Sequence, residues 1–164
     1  MSTQRLFALI ALFAAFLAAS GFILQYGFHV IPCQMCWWQR YAHYTILAAA
    51  LGGLWVSSQP NPPSMRVRAF AGAIVGASAL GLSYAIWQFA AQQNLLPWPP
   101  SCKSEGAQLL STAAELISVI NNTPIVPCDK ENFTLLGLSL AAWNIPAMLA
   151  TLLASIRIFQ NRTA

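Results

Sequence analysis

Cysteine can act as a nucleophile, a redox couple and a metal ligand, and the sequence holds four. Cys33 and Cys36 are separated only by Gln34 and Met35, whereas Cys102 and Cys128 stand far apart. Four cysteines allow three disulfide connectivities. A Cys102–Cys128 bond would close a loop of roughly 25 residues and, through lost chain entropy in the unfolded state, contribute about 3.5 kcal/mol. For that pair alone, a staple is the simpler reading. A Cys33–Cys36 bond would close a loop too short to remove much entropy. Cys-x-x-Cys near positive electrostatics is instead the usual setting of a reactive pair. A helix starting close to Cys36 would place its thiol at a positive helix end and favour the thiolate.

Arg40 follows Cys36 by four residues, so on a helix both share one face. Taken alone, it reads as an interfacial arginine reaching to water beside Trp37 and Trp38. Next to a reactive thiol, a fixed cation would stabilise a thiolate or a reduced anionic electron acceptor. His43 lies about two helical turns beyond Cys36 and would face either a bound cofactor or its packing neighbours. His29 reads as interfacial. Cys36 is followed by Trp37 and not His, so the c-type haem motif is absent.

The elements that must carry these residues follow from where the charges are missing. Of the 164 residues, 57% are hydrophobic and 7% charged. An average soluble domain is about 25% charged, so this chain cannot clothe a water-facing surface. No charge occurs in 6–39, 41–65, 69–102 or 132–156. A bilayer-spanning helix takes about 20 mostly apolar residues, and each stretch holds one. The expected fold is an all-α membrane protein, a four-transmembrane-helix bundle in one domain covering 1–164. Its spans are about 6–26, 38–56, 69–91 and 140–158. A cleaved signal peptide ending near Leu17-Ala18-Ala19-Ser20 is the competing reading of the first span. The apolar run continues through Phe22, Ile23 and Leu24, past a typical signal core. Pro146 predicts a kink in the fourth span.

Orientation follows from the basic residues. Arg5, Arg66, Arg68, Arg157 and Arg162 fall on one side with no acid among them, which marks that side as cytoplasmic. Both termini and the Pro-rich turn Ser57–Ser64 then lie in the cytoplasm. The loops at about 27–37 and 92–139 face outward, in bacterial terms the periplasm. The net charge of +4 is thereby explained as a topology signal, and nucleic acid is not an expected partner. All four acidic residues lie in the long loop. There, Ala107–Ile120 carries apolar residues at Leu109, Leu110, Ala113, Ala114, Ile117 and Ile120, the spacing of a short helix lying on the membrane surface. All four cysteines fall on the outward, oxidising side, where disulfides persist, and two disulfides are the natural outcome. A zinc site built from all four cysteines would need four free thiolates there, and Cys102 and Cys128 lack knuckle spacing. No metal is expected.

Together these residues resemble the DsbB family of quinone-dependent disulfide bond formation proteins. The resemblance rests on four spans, Cys33-Gln34-Met35-Cys36 followed by Arg40, the distant cysteine pair, and Phe133-Thr134-Leu135-Leu136-Gly137-Leu138-Ser139 followed by Trp143. Members often carry a His late in the third helix; here Trp87-Gln88-Phe89-Ala90-Ala91-Gln92-Gln93 has none. The resemblance implies a bacterial inner-membrane thiol oxidoreductase whose catalytic residues are Cys33, Cys36, Cys102 and Cys128. A DsbA-like periplasmic thioredoxin-fold oxidase would be its protein partner. Its cofactor would be a membrane quinone, ubiquinone or menaquinone, held near Arg40. It further implies that the partner's thiolate attacks Cys102 of a Cys102–Cys128 disulfide, that Cys128 attacks Cys33, and that Cys36 passes electrons to the quinone. Two rivals stand beside it. One is a vitamin K epoxide reductase-like enzyme, disfavoured because the Cys-x-x-Cys precedes the second span. The other is a membrane scaffold whose disulfides only staple its loops.

Overall fold

The computed structural model describes residues 2–99, 102, 128 and 134–160. The surface helix expected at Ala107–Ile120 lies outside these residues. Four helices make up most of the described chain: α1 Thr3–Phe22, α2 Gln34–Ser57, α3 Ser64–Gln92 and α4 Leu140–Gln160. α1 continues into a π-helical turn, Ile23–Gly27. Thr3–Gly27, Ser64–Gln92 and Leu140–Gln160 are long and apolar enough to cross a membrane. α2, at 24 residues, is of spanning length too; its first turns carry Gln34, Gln39, Arg40 and His43, which dilute its apolar character. The chain is a multi-pass membrane protein.

Each helix ends where the sequence allows it to. The Ser2 side chain accepts the Arg5 N–H and caps α1. Proline at 62 and 63 cannot continue a helix from α2, and Pro63 instead precedes the first turn of α3. α4 runs unbroken through Pro146, which has no N–H to offer the carbonyl one turn earlier.

Packing follows membrane logic. The buried stripes are Phe7, Ile10, Ala11 and Ala14 on α1, Ile46, Ala49 and Ala50 on α2, Val67, Ala71, Ile74 and Ala77 on α3, and Met148 and Ile158 on α4. Six of these thirteen are alanines, and there the helices approach closely without needing a hydrophobic drive between them. Gly53 shows the limit: a Cβ there would run into the Phe7 ring. Large apolar side chains such as Leu12, Phe16, Trp55, Leu80 and Leu153 face outward instead. That is the reverse of a soluble core and suits lipid on the outside.

Three of the helix seams are closed. α1 packs along α2, α2 along α3 and α3 along α4, whereas α1 and α4 barely meet. Gln4 on α1 bonds Ser58 past the end of α2, and Arg68 on α3 stacks on Phe159 of α4 at 5.0 Å. The arginines at 5, 66, 68 and 157 therefore share one end of the bundle and the cysteines occupy the other. At the cysteine end, Thr134–Leu135 and Leu138–Ser139 form a two-stranded antiparallel hairpin with Thr134 opposite Ser139. Its two-residue turn puts Leu136 and Gly137 at φ of 54° and 79°, the left-handed pair a tight hairpin demands. Trp143 Nε1 donates to the Leu135 carbonyl and ties the hairpin to α4.

Candidate functional site

The start of α2 builds the first part of the site. Cys33 is its N-cap, and the Cys33 sulfur accepts the Cys36 N–H at 3.3 Å. The sequence reading places the Cys36 thiol at the helix end. The structure agrees: the helix begins at Gln34, Cys33 caps it, and Cys36 sits in its first turn. Both are free cysteines, with sulfurs 2.6 Å apart. They precede the apolar stretch 38–56. The Cys33 thiol hydrogen bonds the Cys36 sulfur. That bond holds Cys33 well above the ordinary thiol range, with burial adding to the rise. The same bond pulls Cys36 down against the opposing effect of burial, helped by the Cys33 backbone, by the Gln88 amide and by the Arg40 charge. A single negative charge on the reduced pair therefore resides on Cys36.

The second cysteine pair is a disulfide, Cys102–Cys128, with Cα atoms 5.3 Å apart. Of the three possible connectivities, this is the one the structure shows. Cys33, Met35, Cys102 and Cys128 pack into one buried cluster, with Cys36, Tyr84 and Trp98 against it. Residues that are far apart in sequence thus bring the dithiol and the disulfide together.

Arg40 does not merely reach for water. Its guanidinium donates to the Gly21 carbonyl at 2.7 Å and to Gln25 Oε1, and it lies 5.3 Å from the Trp37 ring centre. Gly21 and Gln25 come from the end of α1 and its π-helical turn. π-turns within α-helices are frequent at functional sites; this one supplies Gln25 to Arg40. His43 is buried and its Nε2 pairs with Asn144 Oδ1 at 2.9 Å. His29, at φ 55°, is exposed and away from the cluster.

These groups converge on a cavity of about 620 Å³. Cys33, Cys36, Gln39, Arg40, His43, Gln88 and Cys128 line one part of it; Phe13, Phe16 and Leu17 of α1 and Ala147 and Ala150 of α4 line the rest. It lies where the α1–α4 seam is open. The sequence reading does not single out Gln25, Gln39 or Asn144, and it meets Gln88 only in the third-helix stretch that lacks a His. Their signal was there to see: an amide in an otherwise apolar membrane helix is costly unless it has a partner.

A bundle of apolar helices that starts one of them on a Cys-x-x-Cys, with a disulfide packed beside it, is a membrane protein built for thiol–disulfide chemistry. The chain belongs to the disulfide bond formation protein B family. The family described as disulfide bond formation protein DsbB matches residues 3–158. A disulfide bond formation protein B of Polaromonas naphthalenivorans (strain CJ2) is 32% identical over 148 residues, covering 86% of this chain and 81% of the relative. Another, of Actinobacillus pleuropneumoniae serotype 5b (strain L20), is 32% identical over 150 residues, covering 90% and 80%. No solved structure matches the chain.

Proposed function

We propose that this membrane disulfide bond formation protein reoxidises a periplasmic DsbA-like thioredoxin-fold oxidase and passes the electrons to a membrane quinone. The observation that carries the reading is the single buried cluster holding both cysteine pairs, set at the head of the cavity beside Arg40. A staple needs no such proximity to a second pair of thiols.

The relay runs through the chain's own sulfurs. The partner's thiolate attacks Cys102 and releases Cys128. Cys128 attacks Cys33 and breaks the Cys33–Cys36 bond of the oxidised resting pair. Cys36 leaves as the thiolate, the state its surroundings favour. The partner's second thiol then attacks the mixed disulfide and frees Cys102, whose attack on Cys128 restores Cys102–Cys128 and releases Cys33. Cys33 and Cys36 then re-form their disulfide, giving up two electrons and two protons to the quinone that would supply the oxidising power when bound. The net change is one dithiol oxidised and one quinone reduced.

The residues present fit that group. A quinone has a flat head with two carbonyl acceptors and an apolar tail. Arg40 uses some of its five N–H donors on Gln25 and Gly21 and retains others for an acceptor. The apolar walls from α1 and α4 suit the tail, and the open seam between them faces the lipid. In this reading all four helices span the bacterial inner membrane, with both termini cytoplasmic and the cysteines periplasmic.

The test is oxidation of a reduced thioredoxin-fold partner by the purified protein, with quinone as sole oxidant. One quinol should appear for each partner disulfide. Partner oxidation without quinol, or none at all, would refute the assignment.

A further inference from the structure

Three helices contribute amides that link the Cys33–Cys36 sulfurs to His43. Gln88 Nε2, on α3, lies 3.6 Å from the Cys33 sulfur and 3.8 Å from that of Cys36. Its Oε1 accepts from Gln39 Nε2 on α2 at 2.8 Å. Gln39 Oε1 in turn accepts from Asn144 Nδ2 on α4 at 2.6 Å. Asn144 Oδ1 meets His43 Nε2 at 2.9 Å, and since that oxygen only accepts, His43 Nε2 carries the hydrogen. Every donor in the line points towards the sulfurs. Turning one amide over would set two oxygens or two N–H groups face to face. Turning all of them over would put Gln88 Oε1 against a sulfur, which repels a thiolate. Gln39 and Gln88 are 7% and 5% exposed, so each relies chiefly on its protein partners.

We infer that Gln88 is a positioning residue for the Cys33–Cys36 couple, its Nε2–H aimed at both sulfurs by the one-way amide line that Asn144, Gln39 and His43 hold in register. The role rests on reading this pair as the one that reduces quinone. A hydrogen bond favours whichever state carries more charge on its acceptor, so the aimed donor favours the thiolate that must deliver electrons. It also leaves the sulfurs one orientation of Gln88 and not two.

The rival account makes the line mere interhelical glue. Glue predicts lost stability and nothing at the sulfurs. The two accounts separate in the pH profile of iodoacetamide alkylation of Cys33 and Cys36 in the fully reduced full chain, read peptide by peptide. Among groups that bear on that profile, α2 brings Arg40 and, at the far end of the line, His43; α3 brings Tyr84, which packs on the sulfur cluster. α1 and α4 line the cavity with no titratable side chain. Gln88→Met keeps length and removes the donor. It should move the Cys36 profile to higher pH by about one unit, the worth of a hydrogen bond to a charged group. Asn144→Ala acts without touching either sulfur and should move it the same way by less, because Gln39 and Gln88 are then free to turn over. If Gln88→Met fails to fold, Asn144→Ala alone decides. Profiles matching wild type in the folded variants would overturn the inference. The titration needs neither quinone nor partner. Wild type that fails to reduce quinone while Gln88→Met still shifts the profile would therefore overturn the proposed function and leave the donor line standing.

Discussion

The two ends of the bundle are held together by different physics. Towards the arginine end, Phe7, Ile74 and Ile158 are buried among alanines, with Phe7 against Gly53, and the packing of apolar shapes sets most of the fit. At the cysteine end, the helices are joined by amides, a guanidinium and sulfurs, and one seam stays open. Close packing resists any change of volume. A polar network resists any change of partner, because an unpaired amide in a water-poor interior costs about 1–3 kcal/mol. The first end can be rigid because nothing enters it. The second must hold its groups in place while leaving room for a ligand.

Substitutions should respect that division. Cys36→Ser or Cys33→Ser should abolish electron delivery to quinone, while Cys102→Ser or Cys128→Ser should block partner oxidation yet leave Cys33–Cys36 oxidisable by quinone. Quinol formation and thiol trapping read the two losses separately. Partner oxidation surviving in all four variants would make the disulfides staples.

Arg40→Ala should raise the apparent KM for quinone roughly tenfold to a hundredfold, the worth of one charge-assisted hydrogen bond of about 1.5–3 kcal/mol. Arg40→Lys should raise it less, since lysine keeps the charge and loses the fork that reaches Gly21, Gln25 and a ligand together. A quinone titration with reduced partner in excess measures both. Identical curves would leave Arg40 as an interface anchor.

At the other end, Gly53→Val should cost about 1–3 kcal/mol of stability by overpacking against Phe7. Thermal unfolding in detergent should register the loss, while quinone reduction per folded molecule stays at the wild-type value. A shifted KM in this variant would show that the ends are coupled.

The smallest expected effect is a difference in rate between neighbours. The lowered Cys36 thiol stays ionised at a pH where an ordinary thiol is protonated, and the raised Cys33 thiol does not. In the reduced protein, Cys36 should therefore be alkylated several-fold faster than Cys33 at neutral pH. The advantage should fade as pH falls through the Cys36 pKa. Equal rates would contradict the assignment of the charge to Cys36.

Much of this was legible beforehand. Charge-free stretches at 6–39, 41–65 and 69–102 each contain most of a helix, and the helix ends differ from the expected spans by a few residues. Cys-x-x-Cys followed by Arg40 pointed to the candidate site, and the structure sets Arg40 at the opposite end of the bundle from the arginines at 5, 66, 68 and 157. The hairpin at 134–139 falls within the expected outer loop, because two-residue strands leave no periodicity to see. Each amide stands out in an apolar helix, but which of them pair was illegible for a different reason. Gln39, Gln88 and Asn144 lie on three helices, and no spacing along the chain tells which amides face one another. The third helix lacks the expected His, and only the structure shows Gln88 turned to the sulfurs there. The π-turn that brings Gln25 to Arg40 likewise has no sequence signature.

The central claim is that two cysteine pairs act as one relay. Disulfide mapping by mass spectrometry tests it most directly, after the oxidised protein, depleted of quinone, is mixed with one equivalent of a reduced thioredoxin-fold partner. The relay predicts a Cys33–Cys128 disulfide, with Cys36 as a free thiolate and Cys102 bound to the partner. Reduction of Cys102–Cys128 with Cys33–Cys36 left intact, and no bond between the pairs, would contradict it.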